Sequence, residues 1–340
     1  IMLSLAPVVG AIAAGNCVIL KPSELAVASE RVITDLLTKT FPAHFVRVVS
    51  GGPELSTELL RNRFDHIFFT GSPAVGKIVM TAAAAHLTPV TLELGGKSPC
   101  IIDRDCDLDV VARRVAWGKF YNAGQTCIAV DYVLIPRGLR EMFITSLKEQ
   151  LQIFYGADPS QTPDYGRIIN SRHFDRLTRL IDSAGTIAIG GQRDASSRYI
   201  APTVITDVQI GDPIMREEIF GPVMPILEYD SLEDALAIMK QRPNPLACYI
   251  FTQSRSFSRN IVDNFAFGGG CVNNALVHLV NSNLPFGGIG TSGMGSCHGK
   301  NSFDTFSHYK AMSYSPLHAD VRYRYPPYRF IKPFMRWLMR

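Results

Sequence analysis

The chain has 340 residues, 46% of them hydrophobic and 19% charged, with a formal net charge of +4. This is a globular composition with core material for two domains. Its mild, scattered positive charge excludes a nucleic-acid footprint, and no apolar run of about 18 residues is present to span a membrane. Seven cysteines (Cys17, Cys100, Cys106, Cys127, Cys248, Cys271 and Cys297) form no C-x-x-C pair and no zinc-spaced Cys/His cluster. Free thiols in a reducing, cytoplasmic compartment are expected, and no metal.

The chain begins at Ile1 inside an apolar segment, as expected of a piece of a longer protein. A small-residue helix ends at Gly15-Asn16, a C-cap pair, and a buried strand over 17–20 follows. Lys21-Pro22-Ser23-Glu24 then starts a helix that runs to about residue 39. Strand, turn and helix make a βα unit, and such units bind ligands at the C-terminal ends of their strands. Lys21, Ser23 and Glu24 stand there, although a plain helix cap would use the same residues. A strand over 45–49 and a helix over 53–61 come next. The strand over 67–70 enters Gly71-Ser72-Pro73-Ala74-Val75-Gly76-Lys77, a small-residue turn opening a helix to about residue 86. Amides at that helix start suit a pyrophosphate, though the run is not G-x-G-x-x-G. The next strand, over 89–94, carries Glu93 inside an apolar run.

Residues 99–102 read as a strand. The helix over 105–117 has an acidic first turn, Asp105, Asp107 and Asp109, which suits the helix dipole better than a metal. Tyr121-Asn122-Ala123-Gly124-Gln125-Thr126 delivers Cys127, and the apolar run 128–135 reads as a strand. Helices over 140–154 and 171–184 precede a strand ending at 187–191. Residues 202–205 lead to Glu217-Glu218-Ile219-Phe220-Gly221-Pro222-Val223. A helix over 232–241, a strand over 247–251, a helix over 257–265 and a βα turn from 268 follow. His278 has the residue type of a general base, a role that the resemblance given below assigns to a glutamate instead. Residues 284–288 form a Gly-rich loop and 303–308 a strand. The tail, 325–340, is basic and aromatic and suits weak contact with a membrane surface.

Two residues suggest chemistry. A carboxylate inside an apolar strand is costly unless it has a task or a partner. A thiol needs a base to attack a carbonyl or to turn its adduct over. Glu93 and Cys127 are expected to make such a pair, with burial tuning the carboxylate upward and nearby dipoles or cations lowering the thiol.

Leu92-Glu93-Leu94-Gly95-Gly96-Lys97-Ser98-Pro99 resembles the glutamate signature of the aldehyde dehydrogenase superfamily, and Gly124-Gln125-Thr126-Cys127 its cysteine signature. Residues 281–295 and 298–308 are most similar to the class 3 branch. The resemblance implies an α/β fold. A Rossmann-like NAD-binding domain is expected over 1–93, an α/β catalytic domain over 94–302, and an oligomerisation strand with a tail over 303–340. It implies oxidation of an aldehyde to a carboxylic acid with NAD, or NADP, as cofactor. Cys127 would form a thiohemiacetal and then a thioester, with Glu93 as general base. Lys21 and Glu24, beside Ser23, would hold the adenosine ribose, and Gly71, Ser72, Val75 and Gly76 the phosphates. Glu218 would hold the nicotinamide ribose, and Phe220 would pack near the ring. A homodimer is implied, and an upstream Asn is expected to help the Cys127 amide bind the oxyanion. The intact Glu93 argues against a reductive acyl-phosphate or acyl-CoA enzyme. Glu93, Cys127 and Glu218 together argue against an inactive lens-type protein, and a membrane scaffold rests on the tail alone.

Overall fold

The computed structural model describes residues 1–320, 324–328 and 331–339. The chain divides into two compact units, Ile1–Phe306 and Ser307–Arg340. The first begins with α1 (Met2–Ala13), β1 (Val18–Leu20), α2 (Val27–Thr40), β2 (Val46–Val48), α3 (Pro53–Leu59), β3 (Ile67–Thr70), α4 (Pro73–Ala84) and β4 (Val90–Glu93). It continues with β5 (Pro99–Ile102), α5 (Leu108–Phe120), β6 (Tyr132–Pro136), α6 (Arg140–Tyr155), α7 (Ser171–Asp182), β7 (Thr186–Ile189), β8 (Arg193–Asp194) and β9 (Tyr199–Ile200). Then come β10 (Thr203–Thr206), α8 (Pro213–Arg216), β11 (Val223–Tyr229), α9 (Leu232–Lys240), β12 (Ala247–Phe251), α10 (Arg255–Asn264), β13 (Gly269–Val272), β14 (Gly293–Met294) and α11 (Lys300–Thr305). The second unit holds α12 (Lys332–Leu338), which exposes Phe334, Trp337 and Leu338. Of the tail, Arg329, Phe330 and Arg340 lie outside the described residues.

A seven-stranded sheet in the order β13-β12-β5-β6-β11-β10-β7 forms the large core; its strands are parallel except β7. Its inner strands β5, β6 and β12 read as continuous apolar runs because both faces are covered. Cys100, Ile102, Val133 and Ile135 face α5 and α6, while Ile101, Tyr132 and Leu134 face the α7 and α9 side. The alternation is the two-residue period of the pleat. A second sheet, β14-β4-β3, carries Glu93 at its end, and β1 and β2 form a parallel pair.

The register of the large sheet fixes where the loops meet. Pro99 of β5 pairs with Tyr132 of β6, and Ile226 of β11 with Val133 of β6, all in parallel. The segments entering β5, β6 and β11 therefore lie side by side at one edge. They carry Gly95 to Ser98, Cys127 to Asp131, and Glu217 to Pro222.

Three expectations are corrected. The helix after Lys21 starts at Val27, not at Pro22, because the Ala26 amide is taken by Ser23 O in a separate turn (3.1 Å). The strand over 128–135 begins only at Tyr132. The Ala129 amide turns back to Thr126 O, and Asp131 is drawn into an ion pair. Residues 303–308 are no strand: α11 runs to Thr305, started by the Asn301 amide donating to His298 O. The acidic start at Asp105 to Asp109 is a helix cap, as expected. The Asp107 side chain accepts from the amides of Asp109 and Val110.

The turn before Cys127 depends on Gly124, which sits at φ +71, a left-handed conformation that glycine adopts without steric cost. A Cβ there would stand 2.2 Å from Gly221 O. Gly124→Ala is expected to destabilise the protein by about 1–3 kcal/mol, read as a lower urea midpoint. An unchanged midpoint would contradict this account of the turn.

Candidate active site

Glu93 ends β4 as its apolar neighbours bury it to 5% exposure. Its backbone is held from both sides. Thr70 of β3 and Gly293 of β14 are its strand partners, and its carbonyl accepts from the Gly71 amide (3.0 Å). Burial pushes its carboxyl up to about 8, while a hydrogen bond from the Cys297 thiol acts in the opposite direction. That bond, Sγ to Oε1, measures 3.5 Å. Oε2 is buried and has no partner among the described residues.

Cys127 and Glu93 line one cavity of about 20 Å³, room for about one water. Met2, Leu3, Ala6 and Pro7 of α1, with Phe68 and Phe286, give it apolar walls. The expected lowering of the thiol is not met. Burial first, then the neighbouring charges of Glu218 and Glu93, push Cys127 up to about 12, although the amides of Cys127 and Ile128 favour the thiolate. The sequence motif marks Cys127 but not that the charges of two carboxyls, Glu218 and Glu93, bear on it.

Four residues beyond Glu93 stands Lys97, and four beyond Cys127 stands Asp131. Their side chains form a buried ion pair, 5% and 4% exposed. Lys97 Nζ also donates to the carbonyls of Ile214 (2.9 Å) and Glu217 (3.0 Å). Asp131 Oδ1 accepts from the Ile219 amide (2.9 Å). One ion pair thus joins the glutamate segment, the cysteine segment and the loop that presents Glu218. Arg176 of α7 holds the same loop through the carbonyls of Glu218 (3.2 Å) and Ile219 (2.5 Å).

Glu218 packs against the glycines that follow Glu93. A Cβ on Gly95 would lie 2.0 Å from Glu218 Oε2. Burial and the Asp131 charge push the Glu218 carboxyl up to about 8, and the Gly96 amide counters them. Phe220 beside it is half-buried at φ +45. Sequence reasoning missed Lys119. It is fully buried in α5, its Nζ has no partner among the described residues, and burial lowers it to about 8 despite the charges of Asp131 and Glu218.

The remaining predicted residues lie on the smaller sheets. Lys21 Nζ and Glu24 Oε2 pair at 2.9 Å just past β1, with Ser23 in the same turn. Gly71 and Ser72 lead from β3 into α4, where Ser72 Oγ caps the Val75 amide. Gly76 lets α4 approach β4, since a Cβ there would stand 2.7 Å from the Leu94 side chain. The start of α4 is therefore held next to Glu93. His278 is no base in this cavity. It is buried, lowered to about 4 by burial, and its Nδ1 lies 3.4 Å from Cys271 Sγ.

Comparison with known proteins gives a consistent result. The model of the aldehyde dehydrogenase family matches residues 1–312. The dimeric NADP-preferring aldehyde dehydrogenase of Rattus norvegicus is 52% identical over 327 residues, 96% of this chain and 72% of that protein. Aldehyde dehydrogenase family 3 member B1 of Homo sapiens is 51% identical over 96% of this chain and 70% of its own length. The substrate-bound structure of AldH from Staphylococcus aureus superposes with a TM-score of 0.96 at 46% identity, over 99% of this chain and 74% of its own.

The buried pair generates a stability prediction. Lys97→Met strands the Asp131 carboxylate and is expected to cost about 3–5 kcal/mol in chemical denaturation. Adding Asp131→Leu should restore much of that loss. A single variant as stable as wild type would contradict the role given to the pair.

Proposed function

The chain belongs to the aldehyde dehydrogenase family, and from that premise we propose that Cys127 and Glu93 convert an aldehyde to a carboxylic acid with NAD(P)+ as cofactor. One observation carries this reading: the thiol and a carboxyl tuned to about 8 line the same small cavity.

The chain's residues fit the cofactor. Glu218 lies over Gly95, which leaves no room for a Cβ, and α4 offers a capped N-terminus beside Glu93. Gly71, Ser72, Val75 and Gly76 would hold the phosphates, and Lys21, Ser23 and Glu24 the adenosine ribose. Glu218 would hold the nicotinamide ribose, with Phe220 against the ring. The bound cofactor supplies the hydride acceptor that turns the Cys127 adduct into a thioester.

The rest is done by the protein. Cys127 Sγ bonds to the carbonyl carbon as Glu93 takes the thiol proton. The Cys127 amide donates to the developing oxyanion. After loss of hydride, Glu93 passes the thiol proton to solvent; it then takes a proton from water as the water oxygen bonds to the acyl carbon, and the C–S bond breaks with that proton returned to Cys127 Sγ. The apolar wall from α1, Phe68 and Phe286 suits aldehydes with an aliphatic or aromatic body. The relative named dimeric supports a homodimer. Phe334 and Trp337 beside Lys332 and Arg336 on α12 support weak contact of the tail with a membrane surface.

NAD(P)H formation with hexanal and benzaldehyde tests the reading. Cys127→Ala should fall to background, and Glu93→Gln should lose about 10²–10⁴-fold in turnover. Because the deprotonated carboxyl is the active base, turnover in wild type should rise with pH through about 8. Full activity in Cys127→Ala would overturn the assignment.

A further inference from the structure

We propose that Cys297 is a positioning residue for the general base: its thiol holds Oε1 of Glu93 and leaves Oε2 as the atom that takes the water proton. The inference rests on the reading of Glu93 as base and adds a residue to it.

The contact itself is direct, Sγ donating to Oε1 at 3.5 Å, between residues 204 positions apart. Oε2 is the other half of the observation. It is buried and without a partner among the described residues, so the two oxygens of one carboxyl are sharply unequal. The thiol is 6% exposed and its backbone is pinned. Cys297 and Phe286 exchange two backbone hydrogen bonds, at 2.7 and 3.0 Å, and the next amide, His298, donates to Ser302 Oγ at 2.8 Å. The same segment grips the main chain around Glu93. Gly293 pairs with it, and the Leu94 amide donates to Ser292 O at 3.1 Å. One stretch of chain, 292–298, thus fixes both the backbone and the carboxyl orientation of Glu93.

A thiol suits this task. Burial and the Glu93 charge hold Cys297 well above the ordinary thiol range, so it stays a donor wherever Glu93 titrates. The S–H group is also a weak donor. It orients the carboxyl while lowering its basicity only modestly, by about one pH unit. The other titratable groups around the cavity are Cys127 and His298, with Glu218 beyond Cys127. The cavity faces of α1 and β3 present Met2, Leu3, Ala6, Pro7, Phe68 and Thr70, none of which is charged.

The test needs no cofactor. Stoichiometric p-nitrophenyl acetate acetylates Cys127, with Cys127→Ala as the control for other thiols, and intact-protein mass follows loss of the acetyl group across pH. In wild type the rate should rise through about 8. Removing a donor that favours the anion raises the pKa. Cys297→Ala should therefore move the inflection up by about one pH unit, about tenfold slower at neutral pH, with the alkaline plateau within about twofold. Cys297→Ser, a stronger donor of similar size, should bring the inflection to or below the wild-type value. Coincident profiles for Cys297→Ala and wild type would overturn the proposal. So would a Cys297→Ser inflection above wild type. Glu93→Gln separates the two readings. If it deacetylates like wild type, the base assignment falls and this inference with it. If it is inert while Cys297→Ala is unshifted, only the inference falls.

Discussion

The site depends on the buried Lys97–Asp131 ion pair. Removing two charges from water is costly, and attraction in the interior offsets that cost only when the remaining donors and acceptors are also used. Here they are. Lys97 donates to one carbonyl of α8 and one of the Glu218 loop, and Asp131 accepts an amide from that loop. The pair spans 34 residues, the same separation as between Glu93 and Cys127. Each reactive residue stands four positions before one member of the pair. The ladder of β5 and β6 begins just beyond it. A rigid sheet edge and an ion pair together set Glu93 and Cys127, the proposed base and nucleophile, in place.

Electrostatics in the cavity follow from desolvation more than from charge pairing. Glu93 and Glu218 are both raised to about 8, and the thiol beside them to about 12, with burial the largest cause for each. At neutral pH both carboxyls are largely protonated, which relieves repulsion of a thiolate. A proton held at about 8 is also easily exchanged with water, as general-base work requires. The same burial that makes the groups costly to fold makes them useful.

Much of this was legible in the sequence. The strands over 67–70, 99–102 and 247–251 match the observed strands to the residue, because short apolar runs between turn residues have little freedom in a doubly covered sheet. Errors fell where local chemistry has two uses. Pro22 and Ser23 suit a helix start, yet they make a turn ahead of one. Residues 128–130 are apolar enough for a strand, but Asp131 is claimed by Lys97. Residues 303–308 carry Phe303 and Phe306 three apart, a helical spacing that the strand expectation passed over; Phe306 serves a helix end and packs its ring on His66 and Phe68. Glu93 and Cys127 stood out through their motifs. Cys297 did not, since its partner lies 204 residues away and an isolated cysteine reads as a small buried hydrophobe. Only the tertiary fold puts it on the carboxyl.

In the proposed reaction Cys127 carries the acyl group and Glu93 releases it. The most direct measurement is peptide mass mapping of the Glu93→Gln protein after mixing with hexanal and NAD(P)+. A hexanoyl adduct should accumulate on the peptide containing Cys127 and on no other. Unmodified Cys127 together with steady acid production, or an adduct on a different cysteine, would contradict it.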